Sequence, residues 1–575
     1  MTRRSAAVPA YALVLALVVT APLLGPGYLL LRDAVSTPRS HLTDTALGLS
    51  QAAPRALPQD FLMALVSQVV DGGILLKALL IAGLWAAGWG AARLADTVLP
   101  DVGLPGQFVA ATVAIWNPYV AERLLQGHWS LLVGYGCLPW VAVAMLRLRA
   151  GQTGWSGRAG WAALAFWIAL AGLTPTGLLL ALVVALVCVS APGTGASRIR
   201  CAAGAVSLAV LCALPWLVAA AVSDSLSGYD ASGAGTAAFA ARAEPGLGTL
   251  GSLAGLAGIW NAQAVPGSRT TLFALAATAV LVVIVAVGVP AVLRRRSAVG
   301  LLVLAAAAVL LPAVLATGVG VAAVEAASSV LPGLGVLRDG QKWVALAMPG
   351  YAVAAAGAVV TLSRWRIGAR QVVTATALCA ALIAVLPDLA WGVWGSVRPV
   401  QYPPGWAAVA ERIDADPHVV AVLPADAMRR FDWAGPAPVL DPLPRWLDAD
   451  VLATGDLAIS GQTVRGEGGD ARAVQDLLLA GGDPARLADL GVGWVVVEAD
   501  SEGEMGSAAT TLDRLPLEYA DEHMRLYRIE GTPAPQTNPR RGLLIAAHAV
   551  WLAVLLAGFV GQISVGQTRS VRPGR

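Results

Sequence analysis

Long apolar stretches recur along this chain of 575 residues and leave few ways for it to fold. A helix that crosses the hydrocarbon core of a membrane needs about 20 mostly apolar residues. Hydrophobic residues make up 57% of the chain and charged residues 13%, which excludes a soluble globular protein. We therefore predict a polytopic α-helical membrane protein of about 12 spans, at residues 9–31, 73–95, 104–121, 129–146, 159–173, 175–191, 203–222, 270–292, 299–324, 342–362, 371–394 and 542–563.

The basic residues between the spans indicate an orientation. Arginine-rich segments usually stay in the cytoplasm when they flank membrane helices. Here they lie at residues 3–4, 147–149, 198–200, 294–296, 364–370 and 569–575. Placing all of them on one side predicts a plasma-membrane protein whose two termini are cytoplasmic. That arrangement requires two spans within 159–191, although the sequence alone also allows one long kinked helix there.

The remaining segments fall on the opposite, extracytoplasmic side. We expect a transmembrane domain at 1–394 with outer loops at 32–72, 223–269 and 325–341, and then a small α/β domain at 395–541. Residues 542–575 would form the last span and a cytoplasmic tail. Strand-like runs at 419–424, 493–498 and 524–529 alternate with helix-like runs at 406–413, 473–479 and 484–490. Residues 57–66 read as an amphipathic helix lying in the membrane interface.

Composition also limits the partners. The formal net charge is only +3 and the basic residues are dispersed in short runs, so no nucleic-acid partner is expected. The five cysteines show neither paired spacing nor a ligand pattern for zinc. We predict no cofactor and no metal site. A divalent metal stays possible, but no motif supports it.

The first outer loop carries the leading candidate for catalysis. Asp33 directly follows the first apolar stretch, and a carboxylate at the membrane surface can accept a proton from a sugar hydroxyl. An ordinary solvated charge at a helix end is the simpler alternative. Asp44 is a competing carboxylate, and Arg32, Arg39 and His41 are candidate substrate-binding residues of the same loop.

Two further segments concentrate polar residues beside apolar spans. One is the hairpin WNPYVAERLLQGHW at 116–129, from which we select Asn117, Glu122, Arg123 and His128 as binding residues. The other is LRDGQKW at 337–343, with Arg338, Asp339, Gln341 and Lys342. Guanidinium and ammonium groups suit a phosphate, although basic residues near a membrane also anchor to anionic lipid. Trp260 and Asn261, in the second outer loop, complete the binding set.

These three segments, in this order, resemble the GT-C superfamily of integral-membrane glycosyltransferases, and most closely its actinobacterial members with an outer C-terminal domain. The resemblance covers the transmembrane part loosely and the quoted motifs more closely. It implies transfer of a sugar from a polyprenyl-phosphate donor on the outer membrane face. Asp33 would then be the base, and Arg338 and Lys342 would neutralise the phosphate leaving group.

The implied product is a cell-envelope glycan or glycolipid, and arabinofuranose and mannose are both plausible sugars. The outer domain would bind the polysaccharide, with Trp433 and Trp446 as candidate stacking surfaces. Two alternatives stay open. The chain could be a non-catalytic scaffold or a flippase for lipid-linked glycans, or it could be a ligase that uses a lipid diphosphate. Few ionisable residues lie near the middle of a span, which disfavours ion-coupled transport.

Overall fold

A computed structural model describes residues 3–50, 56–151, 157–222, 233–364, 371–459, 462–466, 468–534 and 537–570. Within those ranges, eight helices are long and apolar enough to cross a membrane. They are Ala6–Leu24, Gly72–Val98, Trp129–Ala150, Arg198–Val222, Phe273–Leu293, Arg296–Leu315, Gly340–Arg364 and Arg541–Ile563. The segments Gln371–Ala384 and Pro387–Gly395 meet at a bend of 74° and would make a ninth span.

The prediction of a polytopic helical protein is confirmed, but several of the 12 predicted spans are shorter than expected. Besides Gln371–Ala384, four apolar helices of the described chain have only 13 to 15 residues: Gly103–Ile115, Arg158–Ala171, Pro175–Val189 and Gly318–Val330. The two helices within 159–191 are separate, because the Thr174 side chain caps the second one by accepting from the amide of Gly177. Both are packed within the helix bundle, with Leu164 and Leu180 fully buried.

Two predicted span boundaries are wrong for identifiable reasons. The first span was expected to reach residue 31, but the sequence Gly25-Pro26-Gly27 stops the helical segment at Leu24, and Tyr28–Leu31 is a strand. The predicted span 299–324 is divided, since Thr317 ends one helix and caps the next. The segment 325–341, expected to be a loop, accordingly begins as helix. The arginines at 365–370 and 571–575 lie outside the described residues.

A small mixed sheet follows the bundle, as the alternating pattern predicted. Its four strands lie in the order Leu517–Ala520, Met524–Arg528, Val492–Glu498 and Val419–Leu423. Val492–Glu498 is buried at all seven positions and is therefore central. It pairs in parallel with Val419–Leu423, which requires a crossover connection. That connection includes the helices Gly469–Leu479 and Pro484–Asp489.

The two faces of the sheet are covered by different helices. Trp406, in the helix Pro404–Ala415, is fully buried against one face, and Val474 and Leu478 pack on the other. The smaller elements are the helices Asp44–Leu47, Gln59–Val66, Pro118–Leu125, Gly233–Ala238, Gly248–Ala254, Leu443–Trp446 and Ala508–Leu512, and the strand pairs Met428–Arg429 with Val439–Leu440 and Leu457–Ile459 with Gln462–Val464. The predicted amphipathic helix at 57–66 is thus present, and its Phe61 ring lies 4.6 Å from the ring of His548 on the last span.

The first loop joins the helix bundle to residues 395–541, which contain the strands of the mixed sheet and are called the sheet region below. Strand Tyr28–Leu31 pairs with Ala34–Val35 on one side and with Pro399–Val400 on the other. Arg32, at the turn between the first two strands, donates its amide to Pro438 at 3.0 Å and accepts from the amide of Leu440 at 2.8 Å. The backbone beside Asp33 is therefore held by the sheet region as well as by the membrane helices.

Candidate active site

The hairpin between residues 116 and 129 provides the frame of the candidate site. Asn117 caps the helix Pro118–Leu125, and its amide group also bonds Tyr135 at 3.0 Å. Gly127 then reverses the chain with φ +82°, a conformation that favours glycine. A Cβ there would lie 2.3 Å from the backbone nitrogen of Ala34. The glycine thus lets the hairpin approach the first outer loop directly.

Asp33 lies against this hairpin with one carboxylate oxygen bound and the other open. Its Oδ2 lies 2.8 Å from Nε2 of His128 and accepts from Nε2 of Gln126 at 3.1 Å. Its backbone amide donates to the carbonyl of Gln126 at 3.2 Å. No hydrogen bond reaches Oδ1 from any residue that the structure describes, and 41% of the side chain is exposed. The carboxylate is therefore oriented by the protein and still accessible.

The surroundings of Asp33 keep it ionised. Burial works to raise its pKa, but the hydrogen bonds from His128 and Gln126 and the positive charge of Lys342 outweigh that effect. The pKa of Asp33 therefore lies below its ordinary value. A carboxylate in this state can accept a proton or a hydrogen bond at neutral pH.

His128 is fixed in one protonation state by its second neighbour. A guanidinium only donates hydrogen bonds, so Nδ1 of His128 must accept from Arg123, at 3.0 Å. Nε2 then carries the ring proton and donates it to Asp33. Burial lowers the pKa of His128, which agrees with a neutral ring. This tautomer, assigned from the hydrogen-bond partners, can orient Asp33 but cannot take a further proton at Nε2.

Arg123 and Asp339 form a buried ion pair beneath His128. The guanidinium donates to both carboxylate oxygens of Asp339, at 2.8 and 2.9 Å, and also bonds Oε1 of Gln341. Arg123 is fully buried and 8% of the Asp339 side chain is exposed. Although burial works to raise the pKa of Asp339, the charges of Arg123 and Lys342 hold it well below its usual range. The pair joins two segments that are 216 residues apart in sequence.

Glu122 extends the network to the second outer loop. Its carboxyl group accepts from the amides of Gly258 and Ile259, each at 3.1 Å, and from Nε2 of Gln341 at 2.9 Å. Burial and the nearby carboxyl of Glu244 raise the pKa of Glu122 to about 8. Glu244 is itself buried and paired with Arg269. Glu122 therefore holds the second outer loop against the hairpin.

Arg32 and Asn261 also have structural contacts. Arg32 takes φ +50° and is buried, and its guanidinium donates to the carbonyls of Leu125 and Gln263, the latter at 2.8 Å. Asn261 donates to Oε1 of Gln126 at 2.8 Å. These bonds hold the turn that carries Asp33 and fix the amide group of Gln126 that donates to it.

Three predicted binding residues lie at the edge of the network. The ammonium of Lys342 lies 3.7 Å from Oδ2 of Asp339, and 27% of its side chain is exposed. The guanidinium of Arg338 lies 5.7 Å from the ring centroid of Phe239, and that ring packs edge-to-face on Trp260 at 4.7 Å. Of these three residues, Lys342 is the one whose positive charge acts on the Asp33 carboxylate.

Three residues of the first loop do not join this network. Arg39 is exposed, and the Nδ1 atom of His41 faces Asp448 at 3.5 Å. Asp44 forms an ion pair with Arg541 at the start of the last span. Their role in substrate binding stays a prediction, and the structure places them away from the Asp33 network. The reason is that the loop turns toward the sheet region after residue 35.

Some features of the site were not predicted. Gln126 lies within the hairpin motif but was not selected, although its side chain donates to Asp33. Phe239 and the amides of Gly258 and Ile259 carry no pattern that would identify them. Among the described residues, no group of three or more His, Cys, Asp or Glu side chains is placed to hold a metal ion.

Comparisons with known proteins identify the fold only. The sequence matches no known family profile and no curated protein sequence. The structure is similar to the cryo-EM structure of the arabinofuranosyltransferase AftD from mycobacteria, with a TM-score of 0.56 and 18% sequence identity. The match covers 92% of this chain but only 40% of that chain. This chain therefore shares an overall fold with that structure, and it spans less than half the length of that protein.

Proposed function

We propose that this chain is a membrane glycosyltransferase that moves a sugar from a polyprenyl-phosphate donor to a cell-envelope glycan or glycolipid. The observation that carries the proposal is the oriented, ionised and partly exposed carboxylate of Asp33 next to the cation of Lys342. A base and a cation at one place are what sugar transfer from a lipid phosphate requires. The likeness to AftD favours arabinofuranose over mannose as the transferred sugar.

The chemistry then divides between these two groups. The acceptor hydroxyl gives its proton to Oδ1 of Asp33 while its oxygen bonds the anomeric carbon of the sugar. The bond between that carbon and the phosphate oxygen breaks, and its electron pair leaves on the phosphate. Lys342 stabilises the negative charge that develops there, and Arg338, one residue before Asp339 in the sequence, is proposed to assist it. His128 and Gln126 position Asp33 through Oδ2.

The buried members of the predicted set act as positioning residues. Asn117, Glu122, Arg123 and Asp339 have at most 6% of their surface exposed, so they do not contact a substrate directly. They hold the hairpin, the second outer loop and the 337–343 segment together. Trp260, half-buried beside Phe239, is a candidate contact for the sugar or the lipid head group.

We also propose the orientation and the domain division expected from the sequence. The arginine-rich segments place both termini in the cytoplasm. Residues 32–72 and the sheet region at 395–541 then lie outside the cell membrane, and residues 542–575 return the chain to the cytoplasm. The hydrogen bonds between Arg32 and residues 438–440 support this, because they put Asp33 and the sheet region on one side.

Asp33→Asn tests the proposal most directly. The amide keeps the shape of the side chain but cannot accept the proton, so transfer should fall by about 10²–10⁴-fold, the usual contribution of a general base. The assay uses purified protein in nanodiscs with polyprenyl-phosphate arabinofuranose and, separately, polyprenyl-phosphate mannose. Asp513→Asn, an exposed carboxylate in the sheet region, is the matched control and should leave the rate unchanged.

Lys342→Met examines the sugar-donor side of the site. Removing the cation should raise KM for the lipid-phosphate donor and lower kcat, since the charge on the departing phosphate loses its partner. If Asp33→Asn retains the full rate with either donor, Asp33 is not the base and the proposed mechanism is refuted.

A further inference from the structure

A second, polar cleft lies between the first outer loop and the sheet region. It encloses about 600 Å³ and is open to the surroundings. One wall is formed by residues 38–41 and 67–71 of the loop, and the other by the helix Pro404–Ala415 with Trp446 beside it. We call it the outer cleft. It contains Arg39 and His41, two of the three predicted residues of the first loop that do not join the Asp33 network.

We propose that the outer cleft binds a neutral oligosaccharide segment of the acceptor glycan. This inference rests on the proposed function and adds a binding site at a distance from the Asp33 carboxylate. It assigns a role to loop residues that the transfer chemistry does not use.

The charges that line the outer cleft select the class of ligand. Three carboxylates, from Asp71, Glu411 and Asp414, face a single guanidinium, that of Arg39. This excess of negative charge repels phosphates, so neither the lipid-phosphate donor nor an anionic lipid head group fits. A neutral polyol does fit, because its hydroxyl groups both donate and accept hydrogen bonds.

The charged side chains of the outer cleft are accessible for hydrogen bonds with a ligand. Glu411, Asp414 and Arg39 are exposed. Each carboxylate offers about four lone pairs, and only one hydrogen bond to Asp414 is formed within the described chain, from the amide of Asp448 at 3.0 Å. Asp71 differs, since it caps the span Gly72–Val98 and accepts from Tyr28 at 2.9 Å. Glu411, Asp414 and Arg39 are therefore the groups expected to contact the ligand.

Small apolar groups complete the lining. Ala407 and Ala410 have small side chains and line the cleft beside Glu411 and Asp414. Val69 on the opposite wall is 84% exposed. A sugar ring has apolar C–H faces as well as hydroxyl edges, so a mixed surface of this kind suits it. Trp446, which is 8% exposed, and the half-buried Trp433 belong mainly to the core of the sheet region. The predicted stacking of sugars on these two rings is therefore not part of the proposal.

The chain itself limits how far the outer cleft lies from the proposed base. Pro38, in the cleft wall, is five residues after Asp33. Five residues span at most about 18 Å when fully extended. An oligosaccharide of a few residues could thus occupy the outer cleft while its end reaches Asp33.

The test measures binding and transfer separately with full-length protein in nanodiscs. A linear hexasaccharide of arabinofuranose and one of mannose serve as probes, and binding is followed by calorimetry. The cleft variant combines Glu411→Gln with Asp414→Asn, and the matched control combines Asp513→Asn with Glu518→Gln, two exposed positions elsewhere on the sheet region. Because all four residues lie at the surface, folding should be unaffected.

The cleft variant should bind the preferred hexasaccharide at least about tenfold more weakly, since hydrogen bonds to charged groups are lost. Its kcat at saturating acceptor should stay within about twofold. Asp33→Asn should bind the probe normally and transfer sugar about 10²–10⁴-fold more slowly. Unchanged affinity in the cleft variant, or no binding of either probe to the wild type, overturns the proposal. Failure of the base assignment is distinct, because Asp33→Asn would then retain transfer whatever the binding data show.

Discussion

Replacing Arg123 by Met removes four side-chain hydrogen bonds from a fully buried position. Methionine is similar in length but has no hydrogen to donate. The Asp339 carboxylate, 8% exposed, then keeps only the ammonium of Lys342 at 3.7 Å. Breaking a buried ion pair from one side costs about 3–5 kcal/mol. Because Lys342 compensates in part, we expect the free energy of unfolding to fall by about 3 kcal/mol.

The reverse change should cost more. Asp339→Leu leaves the guanidinium of Arg123 fully buried with the neutral groups of Gln341 and His128 as its remaining hydrogen-bond partners. The expected loss is about 4–5 kcal/mol. The double variant leaves neither charge buried without its partner. Its loss of unfolding free energy should therefore be smaller than the sum of the two single losses by about 3 kcal/mol. That difference is the coupling energy of the pair.

Unfolding in mixed micelles with increasing SDS, followed by tryptophan fluorescence, measures these free energies. A second cycle at Arg93 and Asp96 is the control, because these side chains are 39% and 40% exposed and lie 3.4 Å apart. Exposed pairs of this kind contribute at most about 1 kcal/mol. A coupling energy for Arg123 and Asp339 no larger than that of the control would refute the claim that this pair holds the hairpin and the 337–343 segment together.

Two further changes address the hairpin. His128→Leu removes a hydrogen bond that lowers the pKa of Asp33, so that pKa should rise and the acid limb of kcat/KM should move to higher pH. An acid limb that stays in place contradicts the assigned role of His128. Gly127→Ala should cost at least the roughly 1–2 kcal/mol of a left-handed residue and force the backbone of Ala34 away, so both stability and transfer should fall. Gly157→Ala, where an added Cβ meets no atom within 4 Å, is the control, and equal effects at the two glycines would show that the close approach is unimportant.

Sequence patterns predicted the class of fold because hydropathy is a local property. The apolar runs identified most of the membrane helices, and the strand-like runs after residue 395 identified three of the four strands of the sheet. The fourth strand, Leu517–Ala520, was not predicted. Exact spans were harder to predict. The helix Arg158–Ala171 ends at Gly172 and the helix Pro175–Val189 begins at a proline, and helices packed within a bundle need not be as long as isolated ones. An apolar run alone does not show whether it forms a full membrane span or a shorter helix packed within a bundle.

The same reasoning applies to the site. The motifs at 116–129 and 337–343 were identified because charged residues beside spans are costly and therefore uncommon. Which of them would be exposed was not predictable, since exposure depends on pairing between distant segments. Arg123 and Asp339 appear in the sequence as candidate ligands, yet they satisfy each other. Asp33 remains accessible because His128 and Gln126 bind only its Oδ2 atom. Lys342 remains partly exposed, and its neighbour Asp339 is paired with Arg123.

The turn at Arg32 connects the candidate site to a part of the chain that begins more than 360 residues later. The backbone of Arg32 forms hydrogen bonds with Pro438 and Leu440, and the backbone amide of Asp33 donates to the carbonyl of Gln126 in the hairpin. The sheet region is consequently required for the geometry around Asp33. Deleting it, or replacing it with an unrelated domain, would displace the Asp33 carboxylate even if every membrane helix stayed intact.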